Sequence, residues 1–223
     1  MGNPHLSEPL LQSVTSQLIV RLRERILAGQ FAPGSALRQD AIASEYGISK
    51  IPVREALVQL QSEGLVDIFP NRGFQVRPLA TAELDEVFKL RLLIEPAAVA
   101  LGAKLAGDED HLAAQKALDD LNEVLSRKDF QSSGRLNRDF HLKLIVPRVQ
   151  PVNCEVLGRL HTLSSRYVQA HLTPEGRTSR AAKEHAALLK AWKARKVKEV
   201  RALVHEHIAT THGDLSRVAP RDD

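Results

Sequence analysis

The stretch GISKIPVREALVQLQSEGL, residues 47–65, constrains this chain more than any other part of it. It is bounded by Gly47 and Gly64 and carries Pro52 in what would be the first turn of a helix. A proline is tolerated there because the first N–H groups of a helix have no intrahelical partner. Val53, Ala56, Leu57 and Leu60 recur at i, i+3, i+4 and i+7, the spacing of one buried helix face. Ser49 suits the N-cap position. Off that apolar stripe, at the front of the helix, stand Lys50, Ile51 and Arg54.

The flanking sequence supplies the partners such a helix needs. VTSQLIVRLRERILAGQFAPG places Leu18, Leu22, Ile26 and Leu27 on one helical face and ends in Gly29, Pro33 and Gly34. A second short helix, QDAIASEY, stops at Gly47, where a left-handed cap is expected. After Gly64, LVDIF and FQV flank PNRG, a strand–turn–strand signal with Arg72 and Gly73 at its tip. Helix, tight turn, helix is the layout in which the second helix enters the DNA major groove with its N-terminal end toward the bases. That end carries Ser49, Lys50, Ile51 and Arg54, and the hairpin would form a wing against the backbone or minor groove. A plain amphipathic helix with solvated charges is the competing reading.

Charge does not decide between them. The sequence pI is about 9.3, but the formal excess is only +4. Residues 1–78 hold eight Lys/Arg against seven Asp/Glu, so any nucleic-acid surface must be local.

The quoted pieces are more specific than their periodicity. ILAGQFAPGSALRQDAIASEYGISKIPVREALVQLQSEGLV followed by PNRGFQV resembles, without gaps over roughly residues 14–78, the winged helix-turn-helix of the GntR family of bacterial transcription regulators. By that resemblance Lys50, Arg54 and Gly73 correspond to DNA-contact positions. Three positions depart from the family pattern. Lys50 stands where arginine is usual, Ile51 where threonine is usual, and Asp40 where an arginine opening the second helix often contacts DNA. Arg38 is a candidate substitute, and the operator sequence does not transfer from relatives.

Past VRPLATAEL no alternating strand pattern remains. Thr81 is placed to cap a helix that includes Leu84, Val87, Phe88, Leu92 and Ile94, with a bend expected at Pro96. Further helices are expected at about 108–127, 129–146, 152–170, 178–195 and 197–212, with loops at VPRVQP and LTPEGRTS and a frayed polar tail, GDLSRVAPRDD. Of nine histidines, His141, His185 and His207 fall on apolar helical stripes. They could converge as metal ligands in a bundle core, or each could be satisfied separately.

VFKLRLLIEPAAVALGAKLA, LNRDFHLKLI and KEHAALLKAWKARKVKEVRALVHEHI, over roughly residues 81–212, resemble the FCD effector-binding domain of the FadR subfamily. In many such domains an acid and three histidines hold a divalent metal, often zinc or nickel, which helps bind a carboxylate effector. His141, His185 and His207 match the three histidines, whereas the first ligand position is Asn137, a neutral amide in place of the usual acid. Arg91 matches an arginine facing the same cavity. Its guanidinium would be satisfied by an effector carboxylate or by Glu95, its i+4 neighbour. Arg166 is a second candidate for the pocket. His161, His171, His205 and His212 are assigned to surface or core.

The expected fold is therefore mainly α. Residues 1–78 form a winged helix-turn-helix of three helices and a small β-hairpin, and residues 79–223 form an all-α domain for effector binding and dimerisation. The expected function is a ligand-responsive regulator, not an enzyme. It would bind a near-palindromic double-stranded operator as a homodimer and repress a metabolic operon until a small carboxylic acid releases it. A metal-dependent hydrolase built on the histidines, or a sensor of the metal itself, are the rival readings. The single cysteine, Cys154, fits a reducing cytosol; MGNPHLSEPL lacks the pattern of a signal peptide, and LLIEPAAVALGAKLA is too short and too charged to span a bilayer. A cytoplasmic bacterial protein with no membrane partner is expected.

Overall fold

The computed structural model describes residues 14–70, 72–146, 148–170 and 177–218. The opening segment MGNPHLSEPL, Asn71 of the hairpin tip, Pro147, His171, most of LTPEGRTS and the tail from residue 219 lie outside them. The described chain divides into two compact units. One holds residues 34–77 and the first helix as far as Arg25; the other holds residues 26–33 and what is described from Pro78 onward.

In the first unit, helices α1 (Val14–Leu27), α2 (Gln39–Tyr46) and α3 (Lys50–Ser62) accompany strands β1 (Ala36–Leu37), β2 (Val66–Phe69) and β3 (Gly73–Val76). The apolar stripe of α3 is buried as its spacing requires, with Val53, Ala56, Leu57 and Leu60 fully enclosed. Gly47 caps α2 at φ 65°, and its N–H donates back to the carbonyls of Ala43 and Ser44. A side chain would be strained in that left-handed conformation. Ser49 occupies the N-cap of α3 with extended backbone, but its hydroxyl makes no capping bond. Arg23 clasps Glu63 through two 2.7 Å bonds, tying α1 to the end of α3. The hairpin of β2 and β3 pairs Val66 with Val76 and Phe69 with Gly73. A third strand, β1, adds to β3 in antiparallel register, Leu37 opposite Phe74, so the sheet order is β1-β3-β2. The expected hairpin is thus the core of a three-stranded sheet.

The second unit is helical: α4 (Thr81–Leu105), α5 (Asp108–Ser126), α6 (Phe130–Leu144), α7 (Pro151–Ala170), α8 (Arg177–Lys193) and α9 (Val197–Val218). Helix α4 is central, packing on α9, α7, α8 and α6. Ala80, rather than Thr81, holds its N-cap, and the helix runs on through Pro96. Gly102 lets α4 approach the end of α6. A Cβ there would stand 2.0 Å from the carbonyl oxygen of Leu144, which also accepts a 2.9 Å bond from the Trp192 indole N–H. Helix α9 extends six residues beyond the expected end, because Leu215 continues its buried stripe of Val200, Val204 and Ile208. Residues 213–218 are therefore helix rather than frayed tail.

Candidate functional site

Two surfaces carry chemistry, one in each unit. In the first unit, Arg38, Ser49, Lys50, Ile51, Arg54 and Arg72 are all exposed, and Gly73 is partly so. Helix α3 presents Lys50, Ile51 and Arg54 from the face opposite its buried stripe. Ile51 is 70% exposed, so its side chain is available at the front of the helix. Among the described residues Arg38, Arg54 and Arg72 have no carboxylate within ion-pair distance, whereas Arg23 and Arg25 are held by Glu63 and Glu45. Lys50 is different: its ammonium pairs with Asp40 in the first turn of α2, and both side chains are open to solvent. Gly73, at φ 82°, follows the wing turn, in which the Arg72 N–H donates to the carbonyl of Phe69.

In the second unit, α4 to α9 line a partly open cavity of about 90 Å³. His141 from α6, His185 from α8 and His207 from α9 converge on it, and one nitrogen from each lies within 4.8 Å of the others. His185 Nε2 and His207 Nε2 are 3.4 Å apart. The His207 Nδ1–H is held at 2.6 Å by the Glu184 carboxylate, which leaves Nε2 as its lone-pair nitrogen. Burial pushes the pKa of His141 down to about 3, against the pull of Glu95. Burial, and then His207 and His141, depress that of His185 as well. Among the described residues neither ring nitrogen of His141 nor Nδ1 of His185 has a hydrogen-bond partner.

The buried, neutral imidazoles of His141 and His185, beside the Nε2 lone pair of His207, fit a divalent metal. Tetrahedral zinc with nitrogen ligands at about 2.0–2.1 Å places those ligands roughly 3.3 Å apart, close to the separation of His185 and His207. Asn137 is half-buried on the cavity wall, on α6 one turn before His141.

Behind the histidines lies a charged cluster. Arg91 donates to both oxygens of Glu95, from Nε at 2.9 Å and Nη2 at 3.3 Å, and from Nη1 to Ser164 at 3.0 Å. His161 Nε2 stands 3.0 Å from Glu95 Oε1. His141 Nδ1 is 3.4 Å from the same oxygen but out of line for a hydrogen bond. Burial disfavours the Glu95 carboxylate, yet Arg91, His161 and His141 outweigh it and hold the group well below the usual carboxylate range. The internal pair of Arg91 and Glu95 is therefore formed, while Arg91 still lines the cavity. Glu95, His141 and His161 could also hold an ion by position. Both Glu95 oxygens already serve a guanidinium, which makes that group an ion-pair network instead.

Arg166 does not join the pocket lining. Its guanidinium bonds to Glu83 at 3.3 Å and to the Pro78 carbonyl at 3.0 Å, on the side of α7 that faces the start of α4. Glu95, His161, Glu184 and Ser164 are the residues sequence reasoning missed as site members. His161 lies on the inward stripe of α7 with Leu157, Leu160 and Ser164, and that periodicity was the available signal.

An exposed basic helix front with a wing, and a helical unit with a histidine-lined cavity, fit a DNA-binding regulator with a sensor domain. Comparison with known proteins agrees. Residues 14–76 match the bacterial regulatory proteins of the gntR family, and residues 86–210 match the FCD domain. The chain is 30% identical over 148 residues to the HTH-type transcriptional regulator McbR of Escherichia coli (strain K12), covering 66% of this chain and 67% of that protein. It is likewise 30% identical over 150 residues to the HTH-type transcriptional repressor GlaR of the same organism, covering 66% and 68%. The solved structure of E. coli McbR/YncC superposes with a TM-score of 0.82 at 25% identity over 93% of this chain and 99% of that one. A GntR regulator from Rhodococcus sp. RHA1 shares the fold, with a TM-score of 0.82 at 21% identity over 92% and 99%.

The chain belongs to the GntR family of bacterial transcription regulators and carries an FCD domain. The relatives are regulators rather than enzymes, and the hydrolase reading has no support among them. GntR regulators bind DNA operators, and FCD domains bind metals or small-molecule effectors. Among the described residues no helix is long and apolar enough to cross a membrane.

Proposed function

We propose that this regulator is a homodimeric repressor released from a near-palindromic operator by a small carboxylic acid, with zinc or nickel in its helical unit. The observation that carries this reading is the convergence of three histidines, two of them with orphaned nitrogens, and Arg91 on one cavity. His141, His185 and His207 hold the ion, with Asn137 as a weak neutral fourth group. A bound metal supplies a Lewis-acidic anchor for a carboxylate. Arg91 orients the acid from the other side by adding a bond to its existing pair with Glu95. One water needs roughly 10–15 Å³ of such space, so the cavity has room for a small acid beside the histidines. The repressor assignment follows the relative named as a repressor.

In the DNA unit, Arg54 reads a base edge, Ile51 meets a thymine methyl, and Arg38, Ser49, Arg72 and Gly73 fix the module on phosphate and groove. Dimerisation is assigned to the helical unit because α4 leaves Leu90, Leu93, Leu101 and Leu105 exposed along one face. Such a row is what a second copy would cover. The deciding experiment titrates zinc or nickel and then short-chain acids against the purified protein. Melting temperature and operator binding are read together. A metal-dependent rise in melting temperature, followed by release of DNA on adding an acid, is expected. Release by metal alone would favour the metal-sensor reading.

A further inference from the structure

The pair between Asp40 and Lys50 is an unusual object on a surface meant for a polyanion. The carboxylate of Asp40 is 75% exposed and stands at the front of α2, beside the N-terminus of α3. Lys50 is 67% exposed and opens α3 itself. On a module with nearly balanced charge, a solvent-facing carboxylate at the groove face repels phosphate and cancels one of the few cations available to bind it. Asp40 therefore weakens general attraction to DNA. Its place in the first turn of α2 favours that helix N-terminus, and its pairing also changes what Lys50 contacts.

We propose that Asp40 is a specificity-determining residue: it holds Lys50 away from the phosphates, and the two side chains together read one G·C base pair. This rests on the DNA-binding reading of the first unit. Lys50 has three N–H groups. One is used by Asp40, and two remain for a pair of adjacent acceptors. The second oxygen of Asp40 remains to accept one donor. Across the major groove a G·C pair offers acceptor, acceptor, donor, from guanine N7 and O6 and cytosine N4. An A·T pair offers acceptor, donor, acceptor and then a methyl group. Only the first order engages both free ammonium N–H groups on adjacent acceptors and the carboxylate on a donor at once. Over A·T, the thymine O4 would face the carboxylate.

The test selects binding sites from a random duplex pool with full-length wild type and with Asp40→Ala. Affinity for a scrambled duplex is also measured across a salt series. The wild type should enrich a fixed G·C pair at one position of each half-site. Asp40→Ala should lose about tenfold of that preference while the other positions keep theirs. It should also bind scrambled DNA more tightly, with a salt slope steeper by about one, as expected when Lys50 gains a phosphate. An unchanged melting temperature shows that the variant is folded. The proposal is overturned if the variant enriches the same bases as wild type, or if the salt slope does not move. Wild type that enriches no site would instead refute the DNA reading on which the proposal rests.

Discussion

Glu95 and His161 meet at 3.0 Å in the centre of the helical unit, although 66 residues separate them in the chain. The contact is part of a network in which one carboxylate, fully buried, balances Arg91, bonds His161 and lies 3.4 Å from His141. Such a pair contributes little net stability over an apolar replacement, but removing one partner leaves a bare charge in the core.

Glu95→Gln should therefore destabilise the protein by about 3–5 kcal/mol, because the Arg91 guanidinium loses its counter-charge. Arg91→Met in the same chain should recover most of that loss. Urea unfolding of the single and double variants checks it. A double variant no more stable than Glu95→Gln would show that the loss is not electrostatic.

The close approach of α4 to α6 gives a second outcome. Gly102→Ala puts a methyl 2.0 Å from a main-chain oxygen that cannot rotate away and that also holds Trp192. A loss of about 1–3 kcal/mol is expected, with a change in tryptophan emission as the indole bond is disturbed. Wild-type stability and emission in the variant would mean that α4 can shift freely.

For the metal, Glu184→Gln should lower zinc or nickel affinity about 10–100-fold by loosening His207, which Glu184 now orients at 2.6 Å. Asn137→Asp should act in the opposite direction by adding a negative, hard ligand. Competition with a chromogenic chelator reads both. If neither variant changes metal affinity, the ion is not held by this set of side chains.

On DNA, Arg54→Ala should cost about 1–3 kcal/mol at the specific site and relax base choice there, with little change on scrambled duplex. Arg54 is exposed and has no ion-pair partner among the described residues, so no internal contact confuses the reading. Quantitative footprinting that cannot tell variant from wild type would remove Arg54 from the interface.

The acid limb of stability has a local test outside both sites. Asp110 accepts from the Gly107 N–H at the start of α5 and pairs with Arg148 at 2.6 Å; Arg148 draws its pKa below the usual aspartate value, with the Gly107 bond adding to this and burial opposing it. A carboxyl depressed in the folded state stabilises above the unfolded value of about 3.9 and loses that contribution as pH falls through its folded value. Asp110→Asn should cost about 0.5–1 kcal/mol at pH 7, and the difference should close by about pH 2. A gap that stays constant with pH would assign the effect to packing.

Much of this architecture was legible where one physical rule acts alone. The stripe Val53–Leu60, the left-handed Gly47 and the histidines on inward faces all follow from helical period or backbone sterics. Strand β1 was not legible, because two residues carry no period and are ordered only by pairing with β3. The extension of α9 was missed because Gly213 and Asp214 read as a stop, although Leu215 continues the buried stripe. Arg166 shows the limit for sites: its helix and inward position could be inferred, but not that Glu83 would draw it away from the cavity. Glu95 was seen only as a neighbour of Arg91, since its contacts with His141 and His161 depend on how three helices meet.

Helix α4 has two occupations that cannot be separated. Its inner side carries the Arg91–Glu95 pair in the cavity, and its outer side carries the leucine row from Leu90 to Leu105. The helix is continuous over 25 residues, so a ligand that moved Arg91 would have a direct mechanical route to the outer row. If the proposed acid and the proposed dimer both hold, thermodynamic reciprocity requires that any effect of the acid on self-association be matched by an equal effect of self-association on the binding of the acid. Under that coupling, the signal the regulator registers would depend on how many copies of it the cell contains.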